Sequence, residues 1–144
     1  MSIPQWTLLG FTAWTLALLV ATVGVYRWGN ILFAKARIAS FRFDAPEGGW
    51  YQRGTRAHAN CIENLPVFGA IVYVITAIGL RGPGIDAMCF AILAARVVQS
   101  IVHVSHEQTD AFVAVRFSFY GVQLACFIAL IVMAAMRGAV SPAA

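Results

Sequence analysis

The stretch RAHANCIENLPVF, Arg56 to Phe68, decides how this chain is read: five ionisable or amide side chains, Arg56, His58, Asn60, Glu63 and Asn64, run straight into an apolar segment. No turn residue separates the two. The surrounding composition explains the setting. The chain has 144 residues, 60% of them hydrophobic and 11% charged, against roughly 25% charged in an ordinary soluble domain, and its mean hydropathy is +0.77. Runs with few or no charges lie at 4–26, 64–80, 87–102 (broken by Arg96) and 117–136. Each approaches the roughly 20 residues that a bilayer-spanning helix needs. The expected fold is therefore all-α and integral to a membrane: one four-helix transmembrane domain over residues 1–144, with no room for a separate soluble domain. A nucleic-acid role is not supported, because the net charge of +4 is concentrated at one membrane surface.

The N-terminal apolar run has no Lys or Arg ahead of it and exceeds a typical signal-peptide core, which predicts a retained first helix. Cys61, Cys89 and Cys126 fall in three different spans and read as small apolar filler rather than disulfide partners. Arg27, Lys35, Arg37, Arg42, Arg53 and Arg56 cluster in or beside the first connection, whereas Arg81 and Arg137 are on the other side. That bias puts the 27–56 connection in the cytoplasm. Within it, FDAPEGGWYQRG (43–54) reads as a loop, and RGPGID (81–86) as a tight turn. Gly10, Ala17 and Gly24, seven apart, would let first helices of neighbouring copies approach closely.

Helical spacing organises the polar residues. Arg53, Arg56, Asn60 and Glu63 are separated by three, four and three, so a helix lines them up on one stripe, continued by Val67, Ala70 and Tyr73. Pro66 removes one backbone donor and predicts a local bend. Arg96, Gln99, His103 and His106 repeat the three, four, three spacing on the third span, and Arg116, Tyr120 and Gln123 form a shorter stripe on the fourth. An ionised Glu63 facing lipid would cost at least about 2.5 kcal/mol, so it is expected to face other helices, with Arg96 able to neutralise it. The first span offers only threonines, Thr7, Thr12, Thr15 and Thr22, and reads as scaffold. His58 points to a different face and reads as an interface residue.

Three stripes at one depth predict a polar pocket at the cytoplasmic interface. Each element also has a bland explanation: Glu63 with Arg96 as a register-fixing ion pair, and Arg53 and Arg56 as anchors on anionic lipid. Together they ask for more than packing. Several guanidinium groups, two amides, a phenol and one carboxylate suit a small anionic or zwitterionic ligand with more than one carboxylate and an amine, an inventory that a tripeptide such as glutathione carries. The same inventory could serve a lipid head group, or a non-catalytic protein, small pore or transporter binding an anion there. His103, His106 and Glu107 in HVSHE could be metal ligands, since two His at a spacing of three share a helical face, but the segment is expected to leave the helix there, so Glu107 does not make a placed third ligand and no metal is expected.

RAHANCIENLPVF resembles the second-helix pattern of the membrane-associated proteins in eicosanoid and glutathione metabolism, which include microsomal glutathione transferases, microsomal prostaglandin E synthase and leukotriene C synthase. The likeness extends to ARVVQSIVH (95–103) and RFSFYGV (116–122), over essentially the whole chain. It implies a homotrimer with a glutathione site between neighbouring subunits near the cytoplasmic side; the compact loops and the absence of retrieval signals point to a bacterial inner membrane. By motif position Arg56, Asn60 and Glu63 would bind glutathione, with Arg53 and His58 as further candidates. Arg96 matches a family arginine beside that glutamate, and Gln99 and His103 occupy places where relatives line the site. Arg116 and Tyr120 resemble the pair near the sulfur in the prostaglandin-synthase branch and would be catalytic. The implied activity is a glutathione transferase or glutathione-dependent peroxidase, acting on a lipophilic electrophile or hydroperoxide delivered by membrane lipid. The chain departs from the pattern in the twenty residues from Arg96 to Arg116, in Phe117 where the prostaglandin synthase has a small hydroxyl residue, and in His103 where Tyr is usual. Those departures argue against a specific eicosanoid synthase and leave a generic transferase or peroxidase, or a member that has lost activity.

Overall fold

The computed structural model describes residues 1–33, 49–106 and 109–140. Five α-helices occur among them: α1 (Ile3–Leu18), α2 (Val25–Phe33), α3 (Trp50–Ala77), α4 (Pro83–Ser105) and α5 (Asp110–Val140). A π-helical turn, Leu19–Gly24, joins α1 to α2 without a break, so four continuous helical rods, each long and apolar enough to cross a membrane, form the bundle. The protein is an integral membrane protein with an all-helical, four-rod bundle. Helices suit this solvent because every backbone polar group is satisfied within its own segment.

The rods outrun the apolar runs. The first extends over 31 residues to Phe33, about 46 Å at 1.5 Å per residue, against a hydrocarbon core of roughly 30 Å. Backbone hydrogen bonding does not stop where hydropathy falls, and arginines at the rod ends can keep their charge near water. For the same reason Trp50–Gly54, expected as loop, forms the first turns of α3. Lys35, Arg37, Arg42 and the remainder of the expected loop, 43–48, lie outside the described residues.

At its start, α1 is capped by the Ser2 N–H, which donates to Gln5 Oε1 at 2.8 Å, and Pro4 occupies the first turn, where no donor is missed. Thr7, Thr12, Thr15 and Thr22 each return their hydroxyl to a carbonyl three or four residues earlier, so these threonine hydroxyls are spent within their own rod. α3 continues through Pro66. It ends in a left-handed cap at Gly79 (φ 66°), with Leu80 N donating to Ile75 O and Gly79 N to Thr76 O. The turn to α4 therefore falls at 78–82, earlier than RGPGID suggested, and Pro83 opens α4.

Core packing joins all four rods. Phe11, Phe68 and Phe127 are buried in sequence, with ring centres 5.7 Å and 6.1 Å apart. Cys61 and Cys89 are buried and free, and Cys126 is half-buried. α4 and α5 make the most extensive helix pair, while α3 and α5 touch least among the packed pairs. That loose seam is where the polar groove opens. Two glycines set close approaches. A Cβ on Gly54 would stand 2.5 Å from Thr22 Cβ, so α3 and the π turn meet where only glycine fits, and a Cβ on Gly10 would stand 3.0 Å from a methyl of Leu93. Gly10 thus serves contact between α1 and α4 inside one chain.

Candidate functional site

Between α3, α4 and α5 lies a groove of about 520 Å³ lined by Asn60, Glu63, Asn64, Val67, Arg96, Gln99, Val113, Arg116, Phe117 and Tyr120. A second hollow of about 430 Å³ shares Asn60, Glu63, Val113 and Arg116 with it and adds Arg56, Ala59 and His103. The two form one trough. It exists because α3, α4 and α5 carry polar side chains at three- and four-residue spacing, which places them on one face of each helix.

Eight of the ten residues singled out from sequence meet there: Arg56, Asn60, Glu63, Arg96, Gln99, His103, Arg116 and Tyr120. Arg53 and His58 do not line it. Arg53 lies on the same stripe but donates from Nε to Val104 O at 3.1 Å, tying α3 to the last turn of α4. His58 is half-buried on another face. His106, the last member of the α4 stripe, falls beyond the helix end and stacks on Phe112 at 4.1 Å, away from the buried His103. Glu107, the remaining metal-ligand candidate, is outside the described residues. Val67 and Ala70 continue the α3 stripe along an adjoining apolar groove, whereas Tyr73 is exposed.

The α4 wall is the buried one. Arg96 is 1% exposed, and Gln99 and His103 are buried. Nε and Nη2 of Arg96 are buried without a hydrogen-bond partner, as are both ring nitrogens of His103 and Nε of Arg116. Glu63 therefore makes no hydrogen bond to those two Arg96 nitrogens, and the Arg96 guanidinium carbon lies 5.8 Å from the Phe11 ring centre, within cation–π reach. The turn carrying Arg96 is tied by Ser100 Oγ, which donates to Arg96 O at 2.8 Å and lies 3.6 Å from Cys61 Sγ on α3. On α5, Gln99 Nε2 donates to Arg116 O at 3.3 Å, and Gln123 Nε2 donates to Gln99 Oε1 at 2.9 Å and to Phe119 O at 3.2 Å.

The trough sets three guanidinium groups, Arg56, Arg96 and Arg116, against one carboxylate, Glu63. Its excess charge is positive and its buried donors are incompletely used, a combination suited to an anionic ligand. Glu63 and Asn60 can accept from an amine or amide. The α3 and α5 walls are partly exposed at Arg56, Glu63, Phe117 and Tyr120, leaving the trough open on the flank of the bundle. Sequence reasoning put Val67 on the α3 stripe but passed over Asn64, Val113 and Phe117 as lining residues. Asn64 had a signal, its i,i+4 relation to Asn60, whose carbonyl it bonds at 2.8 Å; the others are apolar, and nothing separates them from ordinary lipid-facing residues.

A polytopic helical membrane protein with a positively biased polar trough on its flank is the class that this fold and site define. The chain belongs to the MAPEG family, whose model matches residues 4–136. No curated protein and no solved structure matches the chain.

Proposed function

We propose that the protein is a membrane-embedded glutathione transferase that ionises the glutathione thiol in this trough and conjugates it to lipophilic electrophiles. The observation that carries the reading is the convergence of Asn60, Glu63, Arg96, Gln99, Arg116 and Tyr120 on one groove in a chain of a family that includes glutathione transferases. Unpartnered donors on Arg96 and Arg116 suit the carboxylates and sulfur of the tripeptide, and Glu63 suits its amine.

Free thiols titrate near 8.5, so glutathione is mostly protonated at neutral pH. A guanidinium beside the sulfur favours the thiolate. Arg116 takes that role: its charge is permanent, so it stabilises the anion while the proton leaves to water. The Tyr120 hydroxyl donates a hydrogen bond to the same sulfur. The thiolate then attacks an electrophilic carbon, forming a C–S bond as the leaving group departs with its electron pair. With a hydroperoxide as acceptor, sulfur takes the terminal oxygen to give a sulfenic acid and, after protonation, an alcohol; a second glutathione converts the sulfenic acid to disulfide and water.

The homotrimer, the cytoplasmic placement of the 27–56 connection and the bacterial inner membrane belong to the same proposal. A trough open on the flank of one bundle is what a site shared with a neighbouring subunit requires, and the basic residues around the first connection support its orientation. Detergent-purified protein should conjugate glutathione to chlorodinitrobenzene and elute with the mass of three chains. Absence of both conjugation and glutathione binding would sink the reading.

A further inference from the structure

Gln123 is fully buried on α5 and does not line the trough. It therefore cannot touch a ligand there, and a buried amide inside an apolar rod costs free energy unless it is bonded. Its bonds have a particular arrangement. Gln123 Nε2 donates to Phe119 O and to Gln99 Oε1, and Gln99 Nε2 donates to Arg116 O. Gln99 on α4 thus holds α5 at two points, the Arg116 carbonyl and the Gln123 amide, and the same Gln123 amide is braced within α5 on the Phe119 carbonyl. The same stretch of α5 projects Arg116 and Tyr120, an i,i+4 pair on one helical face.

We propose that Gln123, acting through Gln99, is a positioning residue that fixes the rotation of the Arg116–Tyr120 turn, and hence the guanidinium and phenol, against the ligand sulfur. The inference rests on the glutathione reading above. Just before this turn, Asp110, Ala111, Ala114 and Val115 are exposed. A helix with side chains is about 5–6 Å in radius, so a rotation of roughly 10° moves a side chain by about 1 Å. A misplacement of that size can cost on the order of 100-fold in rate. Arg116 and Tyr120 lie close to that sensitive radius, whereas the ligand's carboxylates and amine are held by α3 and α4 and would not feel it.

Interhelical amides also act as plain adhesive between membrane helices, and the test separates the two roles. In the purified full-length protein, affinity for S-methylglutathione reports binding without sulfur ionisation, and ultraviolet thiolate absorbance against pH reports the pKa of bound glutathione. Gln123→Leu should leave S-methylglutathione affinity within about twofold while the bound thiol pKa rises by about one unit, a tenfold change in its ionisation constant. An unchanged thiol pKa, in a variant of a wild type that does ionise glutathione, overturns the positioning role and leaves the transferase reading standing. Parallel loss of both signals marks adhesive only and likewise overturns it. If Gln123→Leu does not fold, Gln123→Met carries the test, and failure of both to fold identifies a structural strut and overturns the positioning role. Wild-type protein that neither binds S-methylglutathione nor forms thiolate removes the glutathione reading and this inference with it.

Discussion

Glu63 on α3 and Arg96 on α4 line one groove, yet Nε and Nη2 of Arg96 are buried with no hydrogen-bond partner. Opposite charges on facing helices would ordinarily be expected to close into a pair. Here those two nitrogens are left without a partner, so the guanidinium can donate to a ligand carboxylate while Glu63 accepts from a ligand amine.

Glu63→Gln keeps the shape and removes the charge. A hydrogen bond to a charged group contributes about 1.5–3 kcal/mol, so S-methylglutathione should bind about 10- to 100-fold more weakly by calorimetry. Undiminished affinity would place the amine elsewhere.

Arg53 and Arg56 share a stripe and should differ in effect. Arg53 binds the end of α4 through Val104 O, so Arg53→Ala should lower thermal stability with little loss of ligand affinity. Arg56 lines the trough, so Arg56→Ala should do the reverse. Thermal melts and ligand titrations on both variants check the crossing; identical profiles would mean that the stripe acts as one unit.

The two glycines at close approaches make a matched pair. A methyl at Gly54 would collide with Thr22 Cβ at 2.5 Å, inside the π turn, whereas a methyl at Gly10 would meet the flexible end of Leu93 at 3.0 Å. Overpacking costs about 1–3 kcal/mol. Gly54→Ala should lower the apparent Tm clearly more than Gly10→Ala, and the reverse order would contradict the packing described.

The pH dependence has a definite sign. If a thiolate is the nucleophile and Arg116 carries a permanent charge, kcat/KM should rise tenfold per pH unit below the pKa of the reacting thiol and then level off. Activity that grew on acidification would exclude this nucleophile.

Much of this architecture was legible in the residues, because hydropathy marks spans and a 3.6-residue period marks faces. Asn60, Glu63, Arg96, Gln99, Arg116 and Tyr120 could be grouped on that basis before any contact was known. Period alone does not say what a face meets. Arg53 lies on the same stripe as Glu63 but reaches the end of α4; His106 keeps the spacing of Arg96 and His103 but comes after the helix has ended; the spacing of Gly10 does not name Leu93 of its own chain as its contact. The π turn at Leu19–Gly24 has no marker in an apolar run. Gln123 stood in the α5 stripe, but its link to Gln99 and Phe119 depends on how two helices cross, which spacing within one helix does not encode.

The central claim is that Arg116 stabilises a glutathione thiolate in this trough. The most direct measurement is the ultraviolet thiolate absorbance of glutathione titrated into the detergent-purified protein at neutral pH, beside an Arg116→Ala variant. The account predicts a saturable signal in the wild type that the variant loses while still binding S-methylglutathione. A thiolate signal that survives in Arg116→Ala would contradict it.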